Sequence, residues 1–568
     1  MTGSDALSVV SMLSAWRWVA LSLAVSLAGC GEASPPAGRT EPSPSGEPPQ
    51  QALHSPAHEG KAADEASVVT ALAAEPTITT TARGPALYTQ HCAACHGEQG
   101  DGHGLAERYL YPKPRDFRAG RFRLISTVNG VPSLEDLESV LTRGLPGSSM
   151  VSWEHLSPAD RRLLAEHVLL LRREGAADVE RQLAADAEEE LTADDLAARV
   201  ASVTTPGEVL ERAELGPSNA ETIATGKELY ASKGCAACHG ATGKGDGQQQ
   251  MVDGEGFATR PRDLTLGIFK GNHDPLSVYR RLRLGLPGSP MPASSLTDLE
   301  LGAMVHYVLS LSDEATRESH VLRRRELLAT RLPRAPQLAD DEAWSNVASV
   351  PISVTPLWWR DGAVSNVAVQ AAHDGRELVL RLTWNDGTPN DRATRADEFE
   401  DMVAVELYQG SAEPFLGMGA KGAALDLWQW RGGAHQTGAE DSQFDEYPFD
   451  TAIYQELAHG RPLPDFITAR VAGNPLAQHD REASAMVAAG FGTTTFRPKA
   501  SQLVVGEGKW HDGRWTVVVR RPLDVASDAG LPLVVGGDYS IALAVWDGAA
   551  RDRGPQKLIS MWNDLRVK

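Results

Sequence analysis

Cysteine is scarce in this chain, five among 568 residues: Cys30, Cys92, Cys95, Cys235 and Cys238. Four of them fall in two short clusters, so none are left for a disulfide framework. Aromatic residues make up only 6%. Positive charge is in deficit: 54 Lys and Arg stand against 75 Asp and Glu, a formal net charge of −21. A surface of that sign repels phosphate backbones, which argues against nucleic acid as a partner. Past the N-terminus no apolar run is long enough to cross a membrane, so the mature chain is expected to be soluble apart from an anchor.

The cysteine clusters spell one pentapeptide twice, Cys92-Ala93-Ala94-Cys95-His96 and Cys235-Ala236-Ala237-Cys238-His239. Cys-x-x-Cys-His is the attachment signal of a c-type haem: both thiols add to the vinyl groups and the histidine binds iron. A zinc site would have to join both Cys-x-x-Cys units in one tetrahedron. Each unit, however, has its own histidine and its own module-sized tail. A thiol-redox motif needs neither the trailing His nor the Met downstream. The composition therefore predicts two covalent haems.

Cys30 belongs to another signal. Arg17 precedes the apolar run Val19 to Ser26, which ends in Leu27-Ala28-Gly29-Cys30. The run has the length of a secretory signal rather than a membrane span. Its ending resembles a bacterial lipobox, which implies that Cys30 becomes a lipidated N-terminus. Residues 1–30 are then a signal peptide, and the expected location is the bacterial periplasm, with the anchor in the inner or outer membrane. Gly31 and Glu32 leave the choice of membrane open.

Residues 31–83 are rich in Pro, Ala and Ser, which predicts a disordered tether. An internal repeat follows, with copies at 84–173 and 222–313. Each copy runs from a short helix into the haem motif, then a Gly-rich turn, then Pro-Arg-Asp (Pro114-Arg115-Asp116, Pro261-Arg262-Asp263). Each then has a helix, Gly-Leu-Pro-Gly-Ser, a methionine (Met150, Met291) and a closing helix with apolar residues at helical spacing. Between the copies, 174–221 is acidic and reads as a solvated linker helix. Residues 314–341 read as a charged connector.

The repeat resembles the class I cytochrome c family along both modules, which implies two all-α domains with a loop methionine as second axial ligand. That makes His96 with Met150, and His239 with Met291, the expected iron ligands. Met251 and Met304 compete with Met291, but one lies in a polar loop and the other on an apolar helical face. His103, His155 and His273 are the rival distal ligands, and His167 reads as a core residue. Arg115 and Arg262 are candidate partners for haem propionates, because a guanidinium is shaped to pair with a carboxylate.

From about residue 342 the pattern changes to alternating apolar residues punctuated by Asp-Gly turns, as in Leu378 to Trp384 and Tyr539 to Trp546. This predicts an all-β antiparallel sandwich over 342–568. The segments Pro414-Phe415-Leu416-Gly417-Met418-Gly419, Leu427-Trp428-Gln429-Trp430, Gly506 to Trp515 and Ala544 to Gly548 resemble the haem-binding domain of the ethylbenzene dehydrogenase γ-subunit family. The resemblance implies one non-covalent b-type haem held between a Met and a Lys, and electron relay with a molybdenum enzyme. Met418 matches the family methionine. Lys421 lies too near Met418 to reach the opposite face, which leaves Lys509 and Lys499, with Lys509 preferred.

The combined expectation is a periplasmic, lipid-anchored multihaem electron carrier that meets redox proteins, a molybdopterin enzyme or a quinol-linked donor among them. Two alternatives stand beside it. One is a haem enzyme, a peroxidase or small-molecule reductase. The other is a dihaem cytochrome whose sandwich binds a ligand or partner without haem.

Overall fold

The computed structural model describes residues 80–211, 215–391, 397–410, 412–416, 418–433 and 482–568. Cys30, the signal segment and most of the tether lie outside the described residues, as does Gly417. The chain divides at Glu75/Pro76, and everything below belongs to the second unit.

The N-terminal part is helical. Helices Thr80–His91, Ala93–His96, Leu134–Arg143 and Pro158–Asp186 follow one another, and Ala220–Ser232, Cys235–His239, Pro275–Leu284 and Asp298–Ser310 repeat the order. Local chemistry starts these helices where they start. Ser133 and Thr297 form capping boxes with Asp136 and Glu300, while Ser157 and Asp274 cap ahead of Pro158 and Pro275. In each copy the first helix packs on the last. At Gly226 the approach is so close that a Cβ would stand 2.0 Å from the Ala303 carbonyl oxygen, so only glycine fits. Each copy has its own core: Tyr88, Leu164, Ala165 and Val168 in one, Tyr230, Leu301, Met304 and Val305 in the other.

The acidic stretch differs from a single linker helix. The closing helix of the first copy continues to Asp186, and a second helix, Ala193–Thr204, packs back on it. Arg199 pairs with Glu180 and Glu189 across this hairpin. The chain then returns along the first copy, where Leu210 N–H donates to Ser126 O at 2.7 Å, before entering the second.

The C-terminal part is a large sheet system folded around one core. Its strand order runs Thr495–Phe496, Ala483–Ala488, Leu425–Arg431, Met402–Tyr408, Asp538–Trp546, Asn563–Val567, Glu326–Arg331, Asn366–His373, Glu377–Asn385, Arg514–Pro522, Val505–Trp510. Trp384, Trp428, Trp430 and Trp515 are buried together in that core. Trp430 meets Trp515 edge-on at 4.9 Å, the arrangement favoured by ring quadrupoles.

Two expectations are corrected. The sheet is mixed rather than antiparallel: Glu326–Arg331 runs parallel to both Asn563–Val567 and Asn366–His373. Strands far apart in sequence are free of the hairpin constraint and can pair in parallel. That same strand lies inside the segment read as a charged connector, so the sandwich begins earlier than residue 342. Alternation in Leu327 and Ala329, both buried, is what recruits it.

A candidate haem cavity shared by the helical and sheet regions

In both copies the sequence after the third helix builds a tight loop that ends on the methionine. Gly144 and Gly285 end their helices with φ +72° and +71°, and a Cβ at either would meet the carbonyl oxygen of Met150 or Met291 at 2.7 Å. Leu145 N–H donates to Met150 O at 2.9 Å, and Leu286 N–H to Met291 O at 3.1 Å. The backbone is thus held in one conformation at both methionines.

A cavity of about 910 Å³ opens beside the first copy. Cys92, Cys95, His96 and Met150 all line it, together with apolar side chains such as Phe117, Leu141 and Leu164. His96 Nδ1 lies 2.9 Å from the Arg115 carbonyl oxygen. Donation of Nδ1–H to that oxygen leaves the Nε2 lone pair as the ligand. Burial pushes His96 down to about 4, so the imidazole is neutral, as a metal requires. Burial also pushes the Cys92 and Cys95 thiols up to about 12, and neither forms a disulfide. A largely apolar bed with two thiols, a neutral imidazole and a thioether fits a c-type haem.

The second copy repeats the set with His239 and Met291. Burial, with Lys270 nearby, lowers His239 to about 4. His239 Nδ1 is buried without a hydrogen-bond partner. Of the rival ligands, His103 is exposed and His273 is tied to Arg143 and Glu318. His155 lines the first cavity beside Trp153. His167 packs edge-on against Tyr88 at 4.9 Å, and Met304 is fully buried in a helix. Met251 sits in the short strand Met251–Val252. Arg115 lines the first cavity and pairs with Glu255. Arg262 is buried instead against the other copy, donating to the Gly147 carbonyl at 2.6 Å and lying 4.3 Å over the Trp359 ring.

The same cavity continues into the sheet region, where Met418, Trp546, Lys557, Met561 and Trp562 line it. Met418 lines it. Lys509 and Lys499 do not. Lys509 is exposed on its strand and pairs with Asp340 at 3.0 Å. Lys499 is exposed in the turn Lys499–Ser501. Both are corrected as ligand candidates, because Lys509 is held by Asp340 and Lys499 is exposed in its turn, and neither lines the cavity that holds Met418.

Of the sheet region's lysines, the one that lines the cavity is Lys557, its Nζ 5.0 Å over the Trp546 ring. Burial lowers its pKa, with Glu406 opposing. Sequence reasoning passed over it. Only Lys421, Lys499, Lys509, Lys557 and Lys568 follow residue 342, so a full elimination had Lys557 in reach. The signal was its place directly before the apolar pair Leu558-Ile559, which forms a buried strand.

Residues 79–168 match the family described as cytochrome C oxidase, cbb3-type, subunit III, and 223–312 match cytochrome c. The helical part is a cytochrome c region. Such a region binds haem and carries electrons, and a large β-sheet domain follows it. Residues 341–557 match the ethylbenzene dehydrogenase family model. A respiratory nitrate reductase haem subunit of Haloferax mediterranei is 25% identical over 40% of this chain and 67% of its own length. The chlorate reductase subunit gamma of Ideonella dechloratans is 27% identical over 36% of this chain. The chain spans 66% of that protein's length. A solved chain of the reducing HAO-like protein complex of Kuenenia stuttgartiensis is 32% identical, covering 41% of this chain and 96% of its own, with a TM-score of 0.34.

Proposed function

We propose that this chain is a three-haem electron carrier and the haem subunit of a periplasmic oxidoreductase, a molybdenum enzyme by its relatives. The observation that carries the proposal is the cavity lined both by Cys92, Cys95, His96 and Met150 and by Met418 and Lys557. Two cytochrome c domains, 84–173 and 222–313, carry covalent haems, with Met150 and Met291 as distal ligands. Met418 and Lys557 hold a non-covalent b-type haem in the sandwich.

When bound, haem supplies a one-electron Fe(III)/Fe(II) couple. The residues do the rest. Thioether ligands favour the reduced ion and raise the potential. Burial keeps His96, His239 and Lys557 toward their neutral, ligating forms. With His96 and Met150, His239 and Met291, and Met418 and Lys557 each holding an iron, oxygen and peroxide would find no site, which favours a carrier over a haem enzyme. Because the cavity joins the first module to the sandwich, the relay runs from sandwich to first module to second, or the reverse. Lipidation at Cys30 would hold the protein to the inner or outer membrane.

The test is a pyridine haemochrome spectrum on the purified protein, with acid-acetone extraction. Two covalent haems and one extractable haem are expected. Two covalent haems with nothing extractable, from haem-replete cells, would make the sandwich a docking or ligand-binding domain. Metabolic labelling with a radioactive fatty acid, lost in Cys30→Ser, is expected for the anchor.

A further inference from the structure

The two helical modules meet along a seam that is unusually rich in buried positive charge. Arg115 and Arg123 come from the first module. Arg262 and Lys270 come from the second, at equivalent places in the repeat, the first of each pair in Pro-Arg-Asp and the other eight residues on. Burial lowers Lys270 to about 7, and the charges of Arg262, Arg123 and Arg115 push in the same direction, opposed by Asp253. Arg115 in turn feels Arg123, and Arg262 feels Arg123. The four therefore form one cluster.

The neighbouring carboxylates are largely committed. Glu255 pairs with Arg115, and Asp253 pairs with Arg123 at 3.0 Å. Asp361 pairs with Arg260, and Asp116 accepts the Ala119 N–H. The Lys270 ammonium has no ion pair or side-chain hydrogen bond among the described residues. The Nε groups of Arg123 and Arg262 are buried without an acceptor. Unpaired buried cations and donors are costly, so the cluster is built for anions that complete it.

Where those anions come from is set by the cavity. Lys270, a residue of the second module, lines the first module's cavity with Arg115, Arg123, Cys92, Cys95 and His96. It also acts on His239 of its own module. A ligand tied to Cys92 and Cys95 in that cavity brings carboxylates of its own, the haem propionates. We propose that Arg115, Arg123 and Lys270, with Arg262 packed behind them, form a shared seam that receives the propionates of the first module's haem, so that Lys270 sets that haem's potential from the second module. The inference rests on the reading that the first module carries haem c. A cation beside the propionates opposes the extra positive charge of Fe(III) and raises the potential.

The experiment is a potentiometric titration of the c-haem absorbance in the full chain, comparing Lys270→Gln, Lys270→Arg and the exposed control Lys227→Gln. Lys270→Gln is expected to lower one c-haem potential, shifting its equilibrium constant by about tenfold, or about 59 mV for one electron. Lys270→Arg is expected to restore most of it, and Lys227→Gln to leave both potentials in place. Potentials of Lys270→Gln that match the parent, with both covalent haems present by haemochrome, would overturn the inference. A parent protein without covalent haem would overturn the function proposed above instead, and this inference with it.

Discussion

At the scale of single residues, the iron-binding chemistry depends on which side chains are kept from water. His96 is a good ligand because Arg115 O orients its Nδ1 and burial keeps it neutral. The same argument separates Lys557 from Lys509. Both are lysines in the sheet region, but one faces a largely apolar cavity and the other faces Asp340 in solvent. Lys557→Gln is therefore expected to lose most of the acid-acetone-extractable haem while both covalent haems stay. Lys509→Gln is expected to keep all three. Haem content per chain checks both. The cysteine-histidine motifs were legible in the sequence because a covalent attachment needs its residues adjacent in the chain. Lys557 was not, because Met418 and Lys557 come together only across the fold.

At the scale of elements, buried charge in the sandwich makes two measurable claims. Arg521 and Asp426 pair at 2.5 Å, both fully buried, and Asp426 also takes hydrogen bonds from Arg497 and Leu531 N–H. Removing Arg521 still leaves Asp426 with Arg497 and Leu531 N–H, so Arg521→Met is expected to cost somewhat less than the about 3–5 kcal/mol of a fully broken buried pair, read by urea denaturation with tryptophan fluorescence. The second claim concerns Asp401. Burial raises it to about 7, with Asp386 adding to the effect and hydrogen bonds from Gly548, Asn390 and Trp515 opposing. The folded state then holds a proton that the unfolded state, near 3.8, has released. Stability is expected to fall as pH rises from about 3.8 to about 7 through this group, because there the folded form binds more protons. Asp401→Asn should flatten that slope in a series of melting temperatures across the window. Strands such as Glu377–Asn385 were readable from alternation, whereas the parallel strand Glu326–Arg331 was hidden in a charge-rich segment.

At the scale of the whole molecule, net charge governs encounter rather than chemistry. A chain at −21 steers toward a basic face on its redox partner. The rate of electron exchange with a basic partner is expected to fall by about tenfold or more between low and physiological ionic strength, measured by stopped flow, and to be flat with a neutral one.

The sequence alone determined the two Cys-x-x-Cys-His motifs, the repeat around them, the loop methionines and the change to alternating apolar residues near residue 342. These are local or periodic features, written by residues that act on near neighbours. Tertiary structure decided the rest: the mixed sheet, the lysine that shares a cavity with Met418, and the cationic seam between the modules. Each of those depends on groups distant in the chain being brought out of water together. Burial, which sets their protonation and their need for partners, exists only once the fold has closed.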